Sequence, residues 1–171
     1  MLDIEGRPQV TINDHGYFAA LWVEYNIFSP SMRRLVMQTF NPDGTTAGPL
    51  GAVSENPGIA TIGIRSEPGF DISFKNTWEL AVTWIKYTAQ TSGLYTNTTQ
   101  VVLQRYFIDG SALSAATGLS DEAGANTTTS ERYTYMSAHI SCARNYNHYI
   151  VGWANLMTGK IQYSLLLGDN Y

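Results

Sequence analysis

Charge and cysteine are both scarce in this sequence. Asp, Glu, Lys and Arg make up 14% of the 171 residues, whereas about 25% is typical of soluble domains. The ten basic residues are scattered and the formal net charge is −4, so no basic patch is predicted that could neutralise a phosphate backbone. Because of this charge distribution, we expect no nucleic-acid partner.

Cys142 is the single cysteine, which excludes an internal disulfide bond.

Long apolar runs are also missing. No run approaches the ~20 residues that a membrane-spanning helix requires, and no basic segment leads into an apolar one as in a secretion signal. We expect no membrane insertion and no signal peptide in this chain. The polar residues are mainly Thr, Ser, Asn and Gln, a composition that suits β-structure and indicates an extracellular, cell-surface or virion-surface location.

The chain does contain a repeated pattern. The segment MQTFNPDGTTAG at 37–48 matches LQRYFIDGSALS at 103–114 as apolar-Gln-x-aromatic-x-x-Asp-Gly-Ser/Thr. An apolar run with a tryptophan precedes each copy, and a third such run follows later: FAALWV at 18–23, LAVTWI at 80–85 and YIVGWA at 149–154. Self-similarity of this kind is typical of repeat proteins.

The repeats predict a single domain, residues 1–171, of three units. Their bounds are about 8–66, 67–134 and 135–171, and the last unit is incomplete. In each unit a short strand precedes the Trp run, which is apolar enough to be covered on both faces, and a further strand follows it. Asp-Gly then favours a tight turn into an outer strand, expected at 49–55 and 112–119. Helical periodicity is almost absent, so the sequence predicts an all-β fold.

The pattern of an apolar run with Trp, a variable loop and a Gln-containing strand ending in Asp-Gly resembles the blade-type tandem repeats of bacterial extracellular β-propellers. The third copy departs from it, with Ser164 at the Gln position and Asn170 at the Gly position. The resemblance implies three four-stranded antiparallel, blade-like repeats in a propeller-like arrangement and implies no catalytic residue. A β-prism and a β-sandwich are the alternatives.

Three blades are too few to close a propeller, which has about four to eight. We therefore expect a homo-oligomer, most simply a dimer with six blades, because exposed sheet faces need to be covered. In that arrangement the N-terminal segment MLDIE, at 1–5, is expected to supply the missing outer strand of a third blade.

The sequence shows no pattern of catalytic chemistry. His15, His139 and His148 have no neighbouring ligands at metal-binding spacing, so we expect no metal ion and no cofactor. Motifs for an activated nucleophile, a phosphate loop or a dinucleotide site are absent as well. We expect no enzymatic activity; glycoside hydrolysis by paired carboxylates is the least favoured reading.

Variable loops carry the residues that suit ligand binding. Aromatic rings beside amides and hydroxyls match the apolar faces and hydroxyl groups of sugars. The candidate ligand-binding residues are Tyr25, Asn26, Tyr87, Gln90, Tyr95 and His148. The sequence thus favours a binding module of carbohydrate-binding or adhesion type, multivalent through its repeats, with a glycan ligand. The alternative is a structural subunit of a virion, tail or surface assembly.

Overall fold

The computed structural model of the chain describes residues 2–26, 29–55, 69–89, 96–120, 123–126, 135–143, 148–155 and 158–167. All regular elements in these residues are β-strands, and the twelve strands form three antiparallel sheets. The expectation of an all-β fold is confirmed. A simple two-sheet sandwich is not what forms.

Each sheet is built from strands that follow one another along the chain. Sheet A contains β1 (Leu2–Ile12), β2 (Phe18–Asn26), β3 (Ser29–Phe40) and β4 (Gly51–Glu55). Sheet B contains β5 (Phe70–Phe74), β6 (Glu79–Ala89), β7 (Thr96–Phe107) and β8 (Thr117–Gly118), and β9 (Ala123–Asn126) also pairs with β7. Sheet C contains β10 (Tyr135–Ala143), β11 (His148–Asn155) and β12 (Lys160–Leu167).

The three tryptophans of the repeated pattern occupy equivalent positions. Each lies in the second strand of its sheet, β2, β6 or β11, and pairs with the same position of the third strand, in the pairs Trp22–Val36, Trp84–Val102 and Trp153–Gln162. The strand register therefore aligns the three sheets in the same way as the sequence pattern does.

The sheets stack face to face in the order A, B, C. We call the face of a sheet that carries its tryptophan the Trp face and the opposite one the far face. One apolar cluster joins the far face of sheet A, with Leu21 and Val23, to the Trp face of sheet B, with Trp84. A second cluster joins the far face of sheet B, with Ile85, to the Trp face of sheet C, with Trp153. The same pairing of faces thus occurs twice in one chain.

Among the described residues, sheet B is the one sheet with another sheet on both of its faces. The six residues of β6 from Leu80 to Ile85 are all buried, which fits the expected strand with two covered faces. In β2 and β11 burial alternates along the strand instead. The expectation is wrong for these two strands because sheets A and C each have one neighbouring sheet within the described ranges.

The outer strands follow the sequence prediction in part. The first one, β4, lies within the expected segment 49–55. The second is shorter than expected, since β8 has two residues, and β9 provides additional pairing with β7 that the sequence did not indicate. The proposed role of residues 1–5 is wrong: Leu2–Glu5 pairs with Val23–Asn26 within sheet A.

The two Asp-Gly turns have the same geometry. Gly44 and Gly110 have φ of 85° and 82°, as expected for a turn that requires positive φ. In the first turn Thr45 donates its backbone N–H and its hydroxyl to Oδ1 of Asp43, at 2.9 and 2.6 Å, and Ser111 does the same for Asp109. These hydrogen bonds lower the pKa of both carboxyl groups.

The repeated glutamine closes the segment that follows each turn. Gln38 donates its side-chain N–H to the carbonyl of Gly48 at 2.6 Å, and Gln104 donates to the carbonyl of Ser114 at 2.9 Å, ten residues ahead in both cases. A Cβ at Gly48 would lie 1.9 Å from the backbone oxygen of Asp109. Glycine is therefore required where this segment of sheet A touches the turn of sheet B.

Candidate functional site

Four of the six residues that the sequence suggested for ligand binding lie in the described part of the chain, in three different strands. Tyr25 and Asn26 form the end of β2, and Tyr87 lies near the end of β6, at the equivalent position three residues after its tryptophan. Gln90 and Tyr95 lie outside the described residues.

His148 lies at the opposite end of the stack. It is the first residue of β11 and is half-buried. The next residue, Tyr149, donates its hydroxyl to Oε1 of Glu79, the first residue of β6, at 3.2 Å. Because a strand rises ~3.3 Å per residue, Tyr87 is roughly 26 Å further along β6. The structure does not bring His148 together with Tyr87.

A buried ionic cluster lies between sheets B and C. Oε2 of Glu79 is 2.9 Å from Nζ of Lys75, and its Oε1 is 3.5 Å from a guanidinium nitrogen of Arg105. Nζ of Lys75 also lies 5.8 Å from the centroid of the Tyr149 ring. Burial first, and then the charge of Glu79, raises the pKa of Tyr149 well above its ordinary value.

This cluster is a contact between sheets. Lys75, Glu79 and Tyr149 are all buried, so a substrate in solution does not reach the carboxylate. The charges compensate one another because each has a partner of opposite sign or a hydrogen bond at close range. The three charged side chains belong to sheet B, and the Tyr149 hydroxyl joins them to sheet C.

A cleft of about 360 Å³ follows the outer edge of β12. The residues that line it are Leu119, Ser120, Trp153, Ile161, Gln162, Tyr163 and Ser164. Oε1 of Gln162 accepts hydrogen bonds from Nε1 of Trp153 at 3.1 Å and from Nδ2 of Asn155 at 3.0 Å. The lining residues include aromatic, amide and hydroxyl side chains, the kinds of group that bind sugars, although Trp153 itself is 5% exposed. The sequence did not single these residues out.

The far face of sheet C is apolar and uncovered. Ile161 and Tyr163 are 83% and 73% exposed, and Leu165 and Ile150 are also exposed. In β3 and β7 the residues at the position of Ile161 are Leu35 and Val101, both 0% exposed, because the next sheet covers them. Sheet C thus has apolar side chains at positions that are buried between sheets elsewhere in the chain.

The Trp face of sheet A is the other uncovered face. Val10 and Ile12 pair with Ala20 and Phe18 of β2, on the same face as Trp22, and they are 65% and 59% exposed. The residues at the same positions of β5 are Ile72 and Phe74, 5% and 2% exposed beneath sheet A. Phe18 stacks on Phe40 on this open face, with ring centroids 4.5 Å apart.

The two open faces together form the candidate functional surface. Sequence reasoning missed their residues because an apolar residue in a strand does not show whether a neighbouring sheet covers it. The available signal was the repeat itself. Aligning the units places Val10 with Ile72, and Ile161 with Val101.

A metal centre is not found among the described residues. They include no group of three or more His, Cys, Asp or Glu side chains arranged to hold a metal ion. Nor do these ranges contain a helix that is long and apolar enough to cross a membrane.

Comparison of the chain with protein-family models, with curated proteins and with solved structures finds no match in any of the three.

Proposed function

We propose that the chain is a non-enzymatic structural subunit, with propeller-like stacking of its sheets, that associates through its two open sheet faces. The observation that carries the proposal is the difference in exposure at equivalent positions. Ile161 and Tyr163 are largely exposed in sheet C, whereas Leu35 and Met37 of sheet A are buried. Large contiguous apolar patches on a soluble protein mark contact surfaces.

The propeller-like arrangement, favoured over a β-prism, is supported by the way in which the sheets meet. Sheet B contacts sheet A with one face and sheet C with the other, in two separate apolar clusters. The first strands β1, β5 and β10 contact one another in sequence, as the innermost strands of successive blades do. The resemblance to bacterial extracellular blade-type repeats agrees with an extracellular, cell-surface or virion-surface assembly.

Sedimentation of the purified chain over a range of concentrations tests the proposal. We expect the wild type to associate and Ile161→Asp to weaken association by about 30-fold or more, because a carboxylate would have to be buried at the contact. Phe107→Asp is the matched control, since Phe107 is exposed and lies at the end of β7 in sheet B, which carries neither open face. A wild type that stays monomeric at every concentration contradicts the proposal.

Carbohydrate binding is the second candidate, and the cleft along β12 is the observation that favours it. Tyr163, Gln162 and Ser120 are among the residues that line this cleft. We expect a glycan array to detect binding by the wild type that Gln162→Ala abolishes. Silence on every glycan, or equal binding by the variant, removes this candidate.

A further inference from the structure

We infer that a second copy of this chain covers the open faces: the Trp face of sheet A in one protomer packs on the far face of sheet C in its partner. This inference rests on the proposed association through sheet faces and names the partner. It adds a third kind of sheet interface to the two that the chain already contains, A on B and B on C.

The two interfaces within the chain show which type of sheet face packs on which other type. In both of them a Trp face packs on the far face of the preceding sheet, so two unlike faces meet each time. The chain leaves one face of each type open, the Trp face with Val10 and Ile12 and the far face with Ile161 and Tyr163. A second copy therefore offers the missing partner for each face, whereas two identical faces would bring together positions that the chain never packs against each other.

The contact residues match the internal interfaces position by position. At the interface of B and C, Val101 and Leu103 of β7 lie in the same cluster as Ile140 of β10. The equivalents at the new interface are Ile161 and Tyr163 of one copy and Val10 of the other, and all three are more than half exposed in the single chain.

The positions at the beginning of the second strands can be compared in the same way. Glu79 contacts Tyr149 across the interface of B and C. The same positions at the new interface are His148 of one copy and Phe18 of the other, by the alignment of the second strands. His148, which the sequence suggested as a ligand-binding residue, is thereby placed at a contact between protomers.

Two copies satisfy all open faces at once. Each copy contributes three sheets, so a dimer contains six, which lies within the range of about four to eight in which sheets close into a ring. Both new contacts are then identical and related by a two-fold axis. A head-to-tail contact that does not close would instead generate open filaments.

Mixing of two variants tests this pairing. Val10→Asp damages only the Trp face of sheet A, and Ile161→Asp damages only the far face of sheet C. Because each contact requires one face of each type, we expect the wild type to sediment at twice the mass of one chain and each variant alone to be monomeric. An equimolar mixture of the two variants is expected to form a dimer through its one intact pair of faces, and Phe107→Asp, in sheet B, is expected to behave as the wild type.

The outcomes separate this inference from the proposed function. Dimers of Val10→Asp alone or of Ile161→Asp alone would mean that like faces pair, and open polymers of the wild type would mean that the ring does not close. Either result overturns the inference but leaves the proposed association through sheet faces intact. The inference is also overturned if the wild type forms dimers and the mixture of variants does not. A monomeric wild type overturns both.

Discussion

Replacing Trp84 by alanine is expected to lower the free energy of unfolding by about 3–5 kcal/mol, the range observed when large buried aromatic side chains are truncated. The ring is 3% exposed and lies in the cluster between sheets A and B. Urea denaturation followed by circular dichroism measures the change. A loss of this size is comparable to the whole stability of a marginal domain. We therefore expect a large fraction of the variant to be unfolded near 37 °C.

Two matched variants show whether the size of the Trp84 ring is responsible. Trp78→Ala removes the same side chain from a site where it is 61% exposed, and we expect it to cost much less. Trp84→Phe keeps one aromatic ring but loses the volume of the second ring, together with an indole N–H that finds no acceptor in the described part of the chain, so we expect an intermediate cost. If Trp84→Ala unfolds at the same urea concentration as the wild type, Trp84 is not a core residue between two sheets.

Replacing Glu79 by alanine is expected to cost about 3–5 kcal/mol of unfolding free energy, the range for breaking a buried ion pair from one side. The change leaves Lys75 buried without its carboxylate, which lies 2.9 Å away in the wild type. It also removes the acceptor of the buried Tyr149 hydroxyl. Denaturation at neutral pH measures the loss.

The double variant Glu79→Ala/Lys75→Met tests the electrostatic cause. Because it removes both charges and keeps apolar volume at position 75, we expect it to recover much of the stability that Glu79→Ala loses. Glu24→Ala is the control, since its partner Arg34 is 39% exposed and a pair of that kind contributes about 1 kcal/mol or less. A double variant that is less stable than Glu79→Ala would show that uncompensated charge is not the cause.

The strands were predictable from the sequence because local patterns determine them. The segment FDISF coincides with β5 at Phe70–Phe74, and each apolar run with a tryptophan lies in the second strand of its sheet. The Asp-Gly turns were predictable for the same reason, since positive φ favours glycine whatever surrounds it. The short strand β8 was not: it pairs with Val102 and Leu103 of β7, while β9 pairs with residues 96–99 of the same strand.

The candidate site was less predictable because it depends on contacts between distant residues. Lys75, Glu79, Arg105 and Tyr149 are spread over two sheets, and each has an ordinary sequence environment. The open faces depend on which sheets have a neighbour. Ile161 and Val101 are equivalent in the pattern, yet only Val101 is buried. Periodicity predicts that a strand has two faces but not which of them meets another sheet.

The contact of Tyr149 with the charged residues of sheet B also distinguishes the interface of sheets B and C from that of sheets A and B. At the interface of A and B the positions of Lys75, Glu79 and Arg105 are occupied by Asn13, Tyr17 and Thr39, which carry no charge. If sheet A were to take the place of sheet C, the carboxylate of Glu79 would face Phe18 instead of the hydroxyl of Tyr149. Units with a similar sequence pattern can pack in the wrong order during folding. Charged residues that occur at one interface and not at the equivalent one distinguish the units from each other.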